Sequence, residues 1–194
     1  EMRDLGIEIR FNTEVRSLAD VQGFDKIVVA TGARANTPRI PGLENAIEAC
    51  EYLYGKETGN RVIIIGGGLS GCEIAYDLHR HGKEPVIVEM KNDLIAVPGV
   101  CLANSSYLRD YFALHNVEVH LETALVSVNA DGVTVMDKDG KQFDIKGDTV
   151  IRSMGYRPAP VLKDEKGVRF VGDCEKVGNL RSVIWKAWDV AMKI

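Results

Sequence analysis

The stretch from Arg61 to Glu89 constrains the fold of this chain more than any other: R-V-I-I-I-G-G-G-L-S-G-C-E-I-A-Y-D-L-H-R-H-G-K-E-P-V-I-V-E. Val62 to Ile65 is a β-branched run without a polar break, the pattern of a strand buried on both faces of a parallel sheet. Gly66, Gly68 and Gly71 follow at once in the spacing G-x-G-x-x-G. In that spacing the first glycine permits a tight turn, the second lets a pyrophosphate approach the backbone, and the third lets the next helix pack close to the strand. Leu69 to His81 has helical periodicity, with Gly71, Ile74, Ala75 and Leu78 on one face, and Gly82 stands where a glycine ends such a helix. Leu69 and Ser70 open that helix, whose unpaired N–H groups and positive dipole end favour an anion. A second predicted strand, Pro85 to Val88, runs into Glu89, about twenty residues past the glycines, where a carboxylate can accept hydrogen bonds from ribose hydroxyls.

Strand, glycines, helix, strand and acid in that order predict a dinucleotide site. Glu89 also bears on which dinucleotide. A carboxylate about 4 Å from a 2′-phosphate is repelled by up to about 4 kcal/mol per charge pair at an effective dielectric near 20. The expected ligand is therefore NADH rather than NADPH, with Lys91 the one nearby cation to soften the preference.

The rest of the composition narrows the class. A net charge of −4 and a pI near 5.6 leave no basic footprint, so nucleic acid is not an expected partner. No apolar run approaches the roughly 18 residues of a membrane span and nothing resembles a signal peptide, so the expected setting is the cytoplasm, away from a membrane. The four cysteines, Cys50, Cys72, Cys101 and Cys174, form no C-x-x-C and have no metal-ligand spacing. Buried or incidental thiols are expected, rather than a redox-active pair or an iron–sulfur site.

Comparing the chain with itself gives its organisation. Gly6 to Thr13 (G-I-E-I-R-F-N-T) resembles Asn116 to Thr123 (N-V-E-V-H-L-E-T), and Asp25 to Arg34 (D-K-I-V-V-A-T-G-A-R) resembles Asp148 to Arg157 (D-T-V-I-R-S-M-G-Y-R). Two copies of one nucleotide-domain pattern follow. Gly66 precedes Val117 by more residues than precede Ile7, so the first copy's glycine loop is expected outside this sequence, which reads as a fragment. Proline-bearing crossings at Thr37 to Gly42 and Tyr156 to Pro160 bracket an inserted domain. The expected division is 54–154, a nicotinamide-dinucleotide domain, inserted between 1–53 and 155–194, the two pieces of a second nucleotide domain.

Within the insert, the Pro-Gly loop at Val97 to Val100 should lead into a helix over Leu102 to Leu114, its buried side built from Tyr107, Leu108, Tyr111, Phe112 and Leu114. Val117 to His120 should be a third parallel strand. Leu125 to Ile145 predicts three antiparallel strands turning at Asn129 to Gly132 and Asp137 to Gly140, and Val150 to Met154 closes the sheet. Outside it, Ile7 to Phe11 and Val168 to Val171 read as strands. Asn179 reads as the N-cap of a helix whose Leu180, Val183, Ile184, Ala187, Trp188 and Ala191 form a core-facing stripe, with Trp185 off it. His79 and His81, at a helix C-terminus, read as dipole or solvent contacts rather than catalysts.

Val29 to Gly32 (V-A-T-G), the proline crossings, the glycine motif with Glu73 two residues on, Ser153 to Pro158 (S-M-G-Y-R-P) and Val171 to Asp173 (V-G-D) together resemble the two-dinucleotide-domain flavoprotein reductases. The closing stretch V-G-D-C…N-L-R-S-V-I-W-K-A-W-D-V-A is similar to the C-terminal region of the NADH:flavin oxidoreductase, or NADH oxidase, group, which includes 2,4-dienoyl-CoA and 2-enoate reductases. The resemblance implies a Rossmann-like α/β FAD/NAD(P)-binding fold of three layers, a parallel sheet with a three-stranded antiparallel meander. It implies NADH at Gly66, Gly68, Leu69, Ser70, Gly71 and Glu89 with Gly155 beside it, Glu73 near the nicotinamide or simply on the helix surface, and FAD at Thr31, Gly32, Gly172 and Asp173. It also implies a partner outside this sequence, a barrel holding FMN and an iron–sulfur cluster, and chemistry carried by cofactors with no catalytic side chain here. The outer pieces are expected to be less stable than the insert, or to form a homo-oligomer that covers open strand edges. A non-catalytic module holding ADP is the alternative.

Overall fold

The computed structural model describes residues 1–97, 99–162 and 167–194. In chain order its strands are β1 (Ile27–Val29), β2 (Ala33–Ala35), β3 (Ile47–Glu48), β4 (Arg61–Ile65), β5 (Glu84–Val88), β6 (Glu118–His120), β7 (Ala124–Asn129), β8 (Gly132–Met136), β9 (Gln142–Lys146), β10 (Thr149–Arg152), β11 (Tyr156–Pro158) and β12 (Val168–Phe170). The helices are α1 (Ala49–Leu53), α2 (Leu69–Arg80), α3 (Leu102–Leu114) and α4 (Leu180–Ala191). Two compact units result: Ala35–Gly155, and a second made of Glu1–Arg34 with Tyr156–Ile194. No described helix is long and apolar enough to cross a membrane.

The Ala35–Gly155 unit is a three-layer α/β structure. Its central sheet is parallel in the order β3-β10-β4-β5-β6. Strand alternation sends Val62, Ile64, Ile87 and Ile151 toward the helices, where Ile74, Leu78, Leu108 and Phe112 meet them. Ile63, Ile65, Val86, Val88 and Val150 point the other way, onto Val128, Val133, Val135 and Ile145 of the antiparallel β7-β8-β9 meander. Both faces of β4 and β5 are covered, which is why their sequences are continuous apolar runs. The meander turns where glycine was expected to allow it: Asp131 N–H donates to Asn129 Oδ1 at 3.0 Å, and Gly140, at φ 80, donates to Asp137 O at 3.1 Å.

This unit begins at Ala35 rather than at the Tyr54 boundary read from the sequence. Leu43 is buried beneath the meander and β3 adds an edge strand to β10, so the proline-bearing crossing packs with the insert. Helix α3 buries Ser105, Leu108 and Phe112, whereas Tyr107 and Leu114, expected inside, are 55% and 76% exposed. The reason is geometric: a surface helix buries one stripe, and Tyr107 lies a residue off it. Its ring instead joins Tyr76 and Tyr111 in an edge-packed cluster at the α2–α3 surface, where His79 Nδ1 meets the Tyr111 hydroxyl at 2.8 Å. Pro98, in the expected Pro-Gly loop, lies outside the described residues.

In the second unit β1 and β12 form a parallel pair, and β2 pairs with β11, which opens the Tyr156–Pro160 crossing. The internal repeat is visible in the backbone. Gly32 and Gly155, aligned in the two copies, follow β1 and β10 and both stand in the left-handed region, at φ 73 and 76. Ile7 to Phe11, expected as a strand, forms none; no described strand lies alongside to complete its hydrogen bonds, and Phe11 is 71% exposed. Helix α4 starts as predicted, with Asn179 Oδ1 accepting from Ser182 N–H at 3.0 Å. Its expected core stripe is corrected, since none of its residues is buried and Leu180, Ile184 and Trp188 face solvent. A two-stranded sheet is too narrow to cover a three-turn helix; at the turn before it, Val183 Cγ1 lies 3.4 Å from where a Gly172 Cβ would stand. Trp185, predicted to lie off the stripe, is 64% exposed, as is Trp188.

Candidate functional site: a glycine loop at the switch of a parallel sheet

Strands β4, β5 and β6 advance across the sheet in one direction, while β10 and β3 lie on the other side of β4. The strand order therefore reverses between β4 and β10, and in open α/β sheets the crevice outside the carboxyl ends at such a reversal is where ligands bind. The sequence-predicted residues of this unit gather there. Gly66 leaves β4 at φ 109, and a Cβ on it would stand 2.2 Å from Ser153 O at the end of β10. A Cβ on Gly71 would stand 2.0 Å from Gly66 O, so α2 abuts the loop through a position only glycine can occupy. Gly68 is the N-cap of α2 with no side-chain cap, and a Cβ there would meet nothing within 4 Å. Its surroundings are open, and the first N–H groups of α2, those of Leu69 and Ser70 among them, have no partner within the helix.

Gly155, past the end of β10, is exposed and accepts from Asn36 N–H at 2.9 Å. Glu73 is exposed on α2, one turn from the loop. Glu89 is 8% exposed and directly follows β5 beside the loop: its Oε2 accepts from Gly67 N–H at 2.7 Å and its Oε1 from Lys91 N–H at 2.9 Å. Gly67, which the motif leaves as an unspecified position, is thus the residue the acid grips. A Cβ on it would come within 2.6 Å of Leu94 Cδ2 and 3.0 Å of Glu89 Cβ. The only sequence sign of this is that the run Gly66 to Gly68 is unbroken, with glycine also at the middle position the motif leaves open.

Cys72 lies under the loop, its Sγ 3.4 Å from Gly67 O, and burial together with the Glu89 charge pushes its thiol up to about 12. No disulfide joins any of the four cysteines; Cys72 and Cys174 are buried and Cys101 is exposed. Brief alkylation of the native chain at mildly alkaline pH should modify Cys101 and spare Cys72 and Cys174, checked by peptide mass spectrometry. Rapid labelling of Cys72 would contradict the buried loop.

In the second unit, Thr31–Gly32 and Gly172–Asp173 stand at the carboxyl ends of the paired strands β1 and β12. Val171 N–H donates to Val29 O at 3.0 Å, which draws the two ends together. Thr31 Oγ1 donates to Ala159 O at 3.0 Å, and Asp173 Oδ1 accepts from Gly178 N–H at 3.1 Å just before α4.

The sequence model described as pyridine nucleotide-disulphide oxidoreductase matches residues 11–173. The chain belongs to that family. Cinnamate reductase of Clostridium sporogenes is 35% identical over all of this chain and 30% of its own length; NADH oxidase of Thermoanaerobacter brockii is 30% identical over all of this chain and 32% of its own. A solved 2-naphthoyl-CoA reductase, in complex with 2-naphthoyl-CoA, superposes on the whole chain with TM-score 0.78 at 25% identity, over 30% of its own length. Thioredoxin reductase of T. acidophilum shares the fold, at TM-score 0.68 and 20% identity over 86% of this chain and 64% of that one. The chain thus carries the Rossmann-like FAD/NAD(P)-binding fold of a family of oxidoreductases and spans about a third of the length of the curated relatives named.

Proposed function

We propose that this chain is the dinucleotide- and flavin-binding part of an NADH-dependent flavin oxidoreductase. The observation that carries the proposal is the switch-point crevice, where an open Gly68, an uncapped α2 N-terminus and the buried Glu89 carboxylate converge. The residues suit an NADH pyrophosphate and adenosine ribose: Gly68, Leu69 and Ser70 offer backbone N–H groups to the anion, and Glu89 offers acceptors to the ribose hydroxyls. Thr31, Gly32, Gly172 and Asp173 would hold FAD, with the positive end of α4 directed at the flavin. The bound cofactors supply hydride transfer from NADH to FAD, while the chain binds and orients them.

The remainder of such a protein would carry FMN and an iron–sulfur cluster and pass the electrons on. The names of the two reductases similar to this chain suggest an unsaturated carboxylate or an aryl thioester as the final acceptor. No side chain here acts as nucleophile or general acid in this scheme, so the isolated chain is expected to bind NADH without turning over a substrate.

Calorimetric titration of the chain with NADH, NADPH and ADP tests the reading. NADH binding clearly tighter than the other two is the expected result. Equal binding of all three, or binding of ADP alone, would replace it with a non-catalytic nucleotide module.

A further inference from the structure

Gly67 is held from both sides. Its N–H is taken by Glu89, and its carbonyl accepts from Ile95 N–H at 2.7 Å. Ile95 belongs to a short strap, Lys91–Ala96, that follows β5 and lies against the glycine loop, with Leu94 and Ile95 buried in the core. Ile95 has φ 52, a left-handed conformation that a β-branched residue disfavours because its Cβ crowds the backbone. Such a conformation persists only where surrounding contacts over-determine it.

Those contacts can be named. Lys91 N–H donates to Glu89 Oε1, Lys91 O accepts from Glu122 N–H at 2.8 Å, and Lys91 Nζ donates to Ala96 O at 3.0 Å. From α3, the Arg109 guanidinium forks onto Asp93, Nε to Oδ1 and Nη2 to Oδ2 at 3.0 Å each, and Nη2 also donates to the Leu94 carbonyl. Among the described residues, Arg109 is the one side chain from outside the strap with hydrogen bonds to two of its successive residues, directly before the strained Ile95.

We propose that Arg109 is a positioning residue: by clamping Asp93 and Leu94 it keeps Ile95 in its left-handed form, and so presets the glycine loop for its dinucleotide. The inference rests on the dinucleotide reading above and deepens it by naming a residue outside the crevice that sets the site's affinity. A loop that is only fractionally in its binding form weakens apparent affinity by that fraction.

The test uses the full chain and two readouts: NADH affinity by calorimetry, and amide hydrogen exchange at Ile95 and Gly67 without ligand. Arg109→Gln should raise the NADH Kd about tenfold, the equivalent of one charge-assisted hydrogen bond. It should speed exchange at Ile95 by a similar factor while leaving Val133 and Val135 of β8 protected. Arg109→Lys, which keeps the charge and loses the fork, should fall between. Asp93→Asn should weaken binding in the same direction, and combining it with Arg109→Gln should cost less than the two effects added. Wild-type exchange at Ile95 and wild-type affinity in Arg109→Gln would overturn the proposal, as would loss of protection spread evenly into β8. If Arg109→Gln does not fold, Arg109→Lys and Asp93→Asn carry the same comparison. Failure of the wild-type chain to bind NADH would instead sink the dinucleotide reading, and the proposal with it.

Discussion

Gly71→Ala should destabilise the chain by roughly 3 kcal/mol or more, whereas Gly68→Ala, three residues away, should cost under about 1 kcal/mol. At Gly71 the new methyl would stand 2.0 Å from Gly66 O, a backbone atom that cannot rotate aside, so either α2 or the end of β4 must shift. Overpacking a tight core costs about 1–3 kcal/mol when side chains can adjust, and more when they cannot. At Gly68, φ is −68 and the methyl meets nothing within 4 Å, so only a small N-cap penalty applies. If the crevice receives a pyrophosphate, the same methyl occupies its approach, and Gly68→Ala should lose NADH binding while keeping its urea midpoint. Urea unfolding with parallel calorimetry separates the two effects. A Gly71→Ala chain as stable as wild type would show that the loop is not packed as described.

Glu89 should prove both a structural and a selective residue. Glu89→Ala leaves the buried Gly67 N–H without an acceptor, at a cost of about 1–3 kcal/mol in stability. Glu89→Gln retains one acceptor oxygen and should fold better, which makes it the variant for ligand work. Removing the charge removes the repulsion toward a 2′-phosphate, up to about 4 kcal/mol before screening by water. The NADH-over-NADPH preference expected of the wild type should shrink by at least about tenfold in Glu89→Gln. An unchanged ratio would mean that Glu89 supports the loop and does not read the ribose.

Much of the Ala35–Gly155 unit was legible in the sequence because its determinants are local. A β-branched run reports burial on both faces, and a glycine wedged against a backbone oxygen has no substitute, so Val62 to Ile65, Gly66 and Gly71 could be read from the sequence. What could not be read depends on partners distant in the chain. The Leu180–Ala191 periodicity gave the helix and its Asn179 cap correctly, but periodicity cannot say whether anything covers the apolar side, and here the described chain does not. Ile7 to Phe11 has a strand's composition without a neighbour to complete its hydrogen bonds. In the candidate site, the clamp from Arg109 to Asp93 and the left-handed Ile95 left no pattern at all, since both arise from α3 meeting the strap across the fold. Gly67 went unremarked because the motif describes what a ligand needs rather than what holds the loop.

Helix α4 makes the chain optically asymmetric. Both tryptophans of the sequence, Trp185 and Trp188, lie on it and are exposed, while the Ala35–Gly155 unit contains only tyrosine and phenylalanine. Indole emission therefore reports on one unit alone. Its starting colour is already that of water, and any blue shift on adding a flavin, a partner or another copy of the chain marks the covering of one helix, without labelling and without interference from the dinucleotide unit's own aromatic residues.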